Sequence, residues 1–203
     1  MTDLLPFGER LRRLLDYRAT PATALAGAAG VPVAELDAVL AGGRPDDLLL
    51  HRLAPALGLH ASDLFLLATR TVPDDLAPAE LTGPWKVNRI LQRLLGNRNM
   101  RIDAQMLMAL GGGPYLSTST YAMACAERIP LRDEYVSAFA RAVDISMGDL
   151  TALLGIEAVE VPWSLPNPWP ADLVELAWAA RRLSDDQLRA TLDHARVLSA
   201  DLA

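Results

Sequence analysis

Between Leu25 and Pro45 two short helical patterns meet at a single glycine, and this stretch constrains the fold more than any other. Leu25 and Ala26 are spaced to pack the inner face of a first helix, and Leu36 and Val39 turn a second helix back onto the same core. Gly30 sits where a tight turn needs a residue without a Cβ. Ala26 lets the two backbones cross closely, and Gly42-Gly43 followed by Pro45 supplies the C-terminal stop. The stretch therefore predicts a helix-turn-helix.

The surroundings extend this to a five-helix unit. Phe7, Leu11, Leu14 and Leu15 recur at helical spacing, with Glu9, Arg10, Arg12, Arg13 and Asp16 on the other positions, so the first helix is predicted to be amphipathic. Thr20-Pro21 predicts an N-cap and first-turn proline for the next helix. After the helix ending near Gly42, Asp46 and Asp47 precede a Leu49, Leu50, Leu53, Leu57 stripe, and Ser62-Asp63 leads into Leu64 to Leu67. With 51% hydrophobic but only 5% aromatic residues, the 203-residue chain suits Ala/Leu-built helices better than a β-sandwich, which predicts an all-α fold.

The pattern returns later in the chain. Phe139 to Leu150 lies 86 positions beyond Leu53 to Leu64 with matching apolar sites and the same Asp-Leu ending, while Tyr121 and Pro130 lie 85 beyond Leu36 and Pro45. This is an internal repeat, so the sequence divides into a first unit (1–71), a Pro-rich linker (72–84), a diverged second copy (85–158), a Pro/Trp connector (159–170) and a C-terminal helical hairpin (171–203). Two short helices cannot stabilise themselves, so the hairpin must pack on the body of the protein or on a second subunit, which makes it a candidate dimerisation element.

Several residues in the first unit resemble the Cro/lambda-repressor-like helix-turn-helix family: the Leu25-Ala26 to Gly30-Val31 run, the Gly42-Gly43-Arg44-Pro45 ending, and Leu57-Gly58-Leu59 followed by Asp63-Leu64. The resemblance covers roughly residues 7 to 67. It implies a five-helix DNA-binding unit and a transcription regulator acting as a homodimer, and with the internal repeat the chain is expected to hold two such units in tandem. In that family the second helix of the motif lies in the major groove and presents its N-terminal side chains to base edges.

The outward positions of the first copy, Val33, Ala34, Glu35 and Ala38, are poor readers of bases, and Glu35 and Asp37 repel phosphates. That face suits a protein partner, which gives the alternative of an interaction module that keeps the fold without reading DNA. The second copy carries Ser117, Thr118, Ser119 and Thr120 in the corresponding helix, all able to hydrogen-bond bases or phosphates. Upstream, Leu81 to Ile102 holds Lys86, Arg89, Arg93, Arg98 and Arg101 with no acidic residue. The expected DNA-contacting set is therefore Arg44, Arg93, Arg98, Arg101, Ser117, Thr118, Ser119 and Thr120.

A net charge of −6 argues against a chain that coats nucleic acid unselectively. The single cysteine, Cys125, forms no internal disulfide and is read as buried packing, and a start without a basic, apolar leader predicts a cytoplasmic protein. His51, His60 and His194 are scattered, so no metal site, cofactor or catalytic constellation is expected and the chain is read as a non-enzyme. The uncharged run Ala104 to Ala126 is broken by Gly111-Gly112-Gly113-Pro114, which argues against a membrane span.

Overall fold

The structure is a computed structural model, and it describes residues 4–73, 87–97, 118–161, 176, 179–180 and 183–200. Among these residues it is all-helical: α1 (Phe7–Tyr17), α2 (Ala22–Ala29), α3 (Val33–Leu40), α4 (Asp47–Ala56), α5 (Ala61–Leu67), α6 (Val87–Gly96), α7 (Thr118–Cys125), α8 (Asp133–Ala142), α9 (Met147–Leu154) and α10 (Asp185–Ala200). Most of the predicted linker, most of the Pro/Trp connector, and the first arm of the hairpin apart from Leu176, Ala179 and Ala180 lie outside the described residues.

The helix ends follow local chemistry. Asp46 caps α4 by accepting from the Leu49 amide at 2.8 Å, and Ser146 caps α9 by accepting from Asp149 at 3.1 Å. Before α10, Ser184 and Gln187 exchange backbone and side-chain bonds in a capping box. The expected cap of α2 is corrected. Ala19 takes a left-handed φ of 48°, Pro21 becomes the N-cap, and the Thr20 hydroxyl donates to the Arg18 carbonyl instead.

The helices recur in register. Thr118–Cys125 repeats Val33–Leu40 at a displacement of 85 residues, and Asp133–Ala142 repeats Asp47–Ala56 at 86. Buried positions of α6 (Val87, Asn88, Ile90, Leu91, Leu94, Leu95) lie 80 beyond those of α1 (Phe7, Gly8, Arg10, Leu11, Leu14, Leu15). One contact can be compared at corresponding positions. A Cβ on Gly8 would stand 2.0 Å from the Val39 carbonyl oxygen, so α1 and α3 touch backbone to backbone. At the equivalent site Asn88 fills the space and its amide donates to the Ala124 carbonyl.

Both sets of helices share one contiguous core, and they meet crosswise. α1 packs on α9 as well as on α3, and α6 packs on α5 as well as on α7. At the first junction Tyr17 lies over Gly148, and Arg18 grips Asp149 with two bonds of 2.8 Å while donating to the Leu57 carbonyl at 3.0 Å. At the second, the Asn97 amide donates to the buried Asp63 at 2.8 Å. Tyr17 and Asn97 are 80 positions apart, and Asp63 and Asp149 are 86 apart, so corresponding helix ends meet corresponding acidic positions.

The register of α1 on α3 gives a direct test. Gly8→Ala forces a Cβ into a backbone carbonyl and is expected to cost about 2 kcal/mol or more. Gly27→Ala, in α2 with open space around the added Cβ, is expected to stabilise by about 0.4–1 kcal/mol. Denaturant midpoints of the two variants should move in opposite directions.

Candidate nucleic-acid interface

The surface around α2 and α3 is built by one turn. Gly30 takes φ 64° at the end of α2, and its amide and that of Val31 close on the Gly27 and Ala26 carbonyls. The chain re-enters α3 after Pro32, whose fixed φ of −61° suits an N-cap without a donor to lose. Leu25, Ala26, Leu36 and Val39 are buried, which leaves Val33, Ala34, Asp37 and Ala38 facing out, with Val33 39% exposed and Glu35 half-buried. After α3, Gly42 turns the chain at φ 103° and exposed Arg44 follows.

The other arginines near this surface hold protein carbonyls. Arg12 donates to the Leu40 carbonyl at the end of α3, and Arg52 reaches the Gly30 carbonyl at 3.4 Å. Both sit where a helix C-terminus carries partial negative charge, so they complete the α2–α3 unit.

In the second set, α7 is anchored through Ala124 and Cys125, both buried, and Ser119 is exposed with Thr120 half-buried. Burial pushes the Cys125 thiol up to about 12, so it stays protonated at neutral pH. Ser117, Arg98, Arg101 and the side chain of Thr118 lie outside the described residues.

Arg93 departs from the expected solvated basic face. It is 5% exposed, and burial, helped by the neighbouring charge of Arg89, lowers its guanidinium below the ordinary value. α6 is enclosed by α5 and α7, so its buried stripe is wide enough to include this position. Arg93 is therefore packed inside rather than on a solvated face. Arg89 is half-buried and donates to Gln92 at 2.7 Å.

The structure adds two basic residues that the spacing analysis did not single out. Arg128 and Arg132 are exposed in the loop between α7 and α8, the region that corresponds to the Arg44 loop between α3 and α4. The 85- and 86-residue displacement was the signal that could have found them. Of the expected contacts, Arg44 and Ser119 are thus exposed on corresponding helix–loop elements, Thr120 is partly covered, and Arg93 is withdrawn.

Neither a family model, nor a curated protein, nor a solved structure matches the chain. Among the described residues no helix is long and apolar enough to cross a membrane, and no three His, Cys, Asp or Glu side chains are grouped to hold a metal ion.

The Arg18–Asp149 clamp makes the fold sensitive to acid. Arg18 holds the Asp149 carboxyl below its ordinary value of 3.8, chiefly through the hydrogen bonds. A carboxylate shifted down contributes stability that is present above its unfolded value and is lost as the pH falls through the folded one. Unfolding midpoints measured from pH 6 down to pH 2 should therefore fall, and Asp149→Asn should be less stable at pH 6 with a flatter acid limb.

Proposed function

We propose that the chain is a DNA-binding transcriptional regulator of the Cro/lambda-repressor-like helix-turn-helix type, built from two tandem, diverged units. The observation that carries this reading is the repeated helix–loop element, α3 with Arg44 and α7 with Arg128 and Arg132. Each element buries one face of its helix and is followed by an exposed arginine in the loop after it. Side chains on such a helix reach base edges while arginines in the following loop hold phosphates. Ser119 has the chemistry for a base or phosphate, and Arg44, Arg128 and Arg132 have the charge.

Self-association is assigned to α10. Its sixteen residues expose Leu192, Val197 and Leu198 by half or more, and a lone amphipathic helix of this length is marginal in water without a partner. The alternative of a protein-interaction module draws on one feature, the exposed Val33, Ala34 and Ala38 beside Asp37 on α3, which suits a protein surface better than phosphates.

Binding to genomic fragments over a range of salt concentrations separates the two. Arg44→Ala and Arg128→Ala are each expected to weaken binding across all sequences and to reduce the salt slope by about 1. Ser119→Ala should change the preferred sequence. No sequence-selective complex at low salt would turn the assignment to the interaction module.

A further inference from the structure

The crosswise packing of the two units carries a consequence for the target. If the units were arranged head to tail, a surface of the first would meet a different surface of the second, and its counterpart on the second would be left over. The observed contacts are reciprocal. The first helix of each set packs on a helix of the other that lies at the corresponding position in the repeat, α1 on α9 and α6 on α5. The residues repeat the same exchange, since Tyr17 and Arg18 at the end of α1 meet Gly148 and Asp149 on α9, while Asn97 at the end of α6 meets Asp63 on α5. This is the signature of a two-fold interface, drawn within one chain.

Resting on the DNA reading above, we infer that the chain is its own pseudo-two-fold pair: α3 and α7 are related by an internal dyad, and the target is an inverted repeat of two unlike half-sites, one chain to each repeat. Two-fold proteins meet two-fold sites because the symmetry of the reading helices is copied onto the half-sites, about one helical turn or a multiple of it apart. Here the symmetry holds for the scaffold and fails for the outward side chains. Val33 and Ala34 on α3 offer only apolar contact, of the kind a thymine methyl group accepts, and no hydrogen bond to a base edge, whereas Ser119 on α7 has a hydroxyl that can donate or accept. The half-sites are therefore related in orientation and different in sequence.

The test uses the full chain and a pool of duplexes randomised over about three helical turns, with sequencing of the bound fraction and native mass spectrometry at saturating duplex. The expected result is two unlike motifs in inverted orientation at a fixed spacing, with one chain per duplex whether or not α10 joins chains. Arg18→Ala, which releases one of the two crosswise clamps, is expected to keep both motifs and to lose about tenfold of the discrimination against a one-base-pair insertion between them. A single motif, a direct repeat, two like halves, or two chains on one inverted repeat overturns the internal dyad while leaving DNA reading in place. A pool with no enriched sequence overturns the DNA reading, and the dyad's target with it.

Discussion

The structure depends on how α1 is held between α3 and α9, and the most demanding residue in that junction is Arg10. Its side chain has no exposure, and burial lowers its guanidinium to about 10, which still leaves it charged at neutral pH. A buried cation costs several kcal/mol in lost hydration unless polar groups replace the water. Arg10 meets the Leu5 carbonyl at 2.8 Å and the Leu153 carbonyl at 3.0 Å, the latter in the last turn of α9, where helix dipoles concentrate negative charge. This constrains where α9 ends. Gly155 turns the chain away at φ 68°, and a Cβ there would stand 2.8 Å from Leu5, so the helix stop, the N-terminal segment and the buried charge specify one another.

This junction also explains which parts of the fold were legible in the sequence. The turn at Gly30, the buried Leu25, Leu36 and Val39, and the displacement of 85 to 86 residues are local or periodic features, and the helices fall where they indicate. Periodicity alone placed Arg10 and Arg93 on polar faces, beside Glu9 and Arg12 in one case and Arg89 in the other. Each instead lies buried in a helix that packs on two neighbours. A helix that packs on two neighbours buries a stripe wider than one amphipathic face, and nothing local in the sequence announces the second neighbour. The clamp from Arg18 to Asp149 was illegible for the same reason, since it spans 131 positions.

The two sets of helices differ at one corresponding contact. Gly8 brings α1 against the Val39 carbonyl, whereas Asn88 holds α7 at the length of a side chain and satisfies the equivalent carbonyl with its own amide. Both solutions meet the same requirement, that α3 be fixed to α1 and α7 to α6 without an empty or clashing contact. Fixing the backbone this way does not draw on the outward Val33, Ala34 and Asp37 of α3, which are exposed.

Charge is distributed by the same logic. Arg10, Arg12 and Arg52 satisfy protein carbonyls, Arg18 and Arg70 hold Asp149 and Asp47 as well as carbonyls, and Arg93 is enclosed by α6 and its neighbours. Counting basic residues along the sequence therefore overstates what a phosphate backbone could meet, most of all in the α6 stretch. Exposed arginines remain at helix–loop junctions, Arg44 after α3 and Arg128 and Arg132 after α7. In a chain of net charge −6, these three arginines stand exposed while Arg10, Arg12, Arg18, Arg52 and Arg70 are engaged by carbonyls or carboxylates of the chain itself.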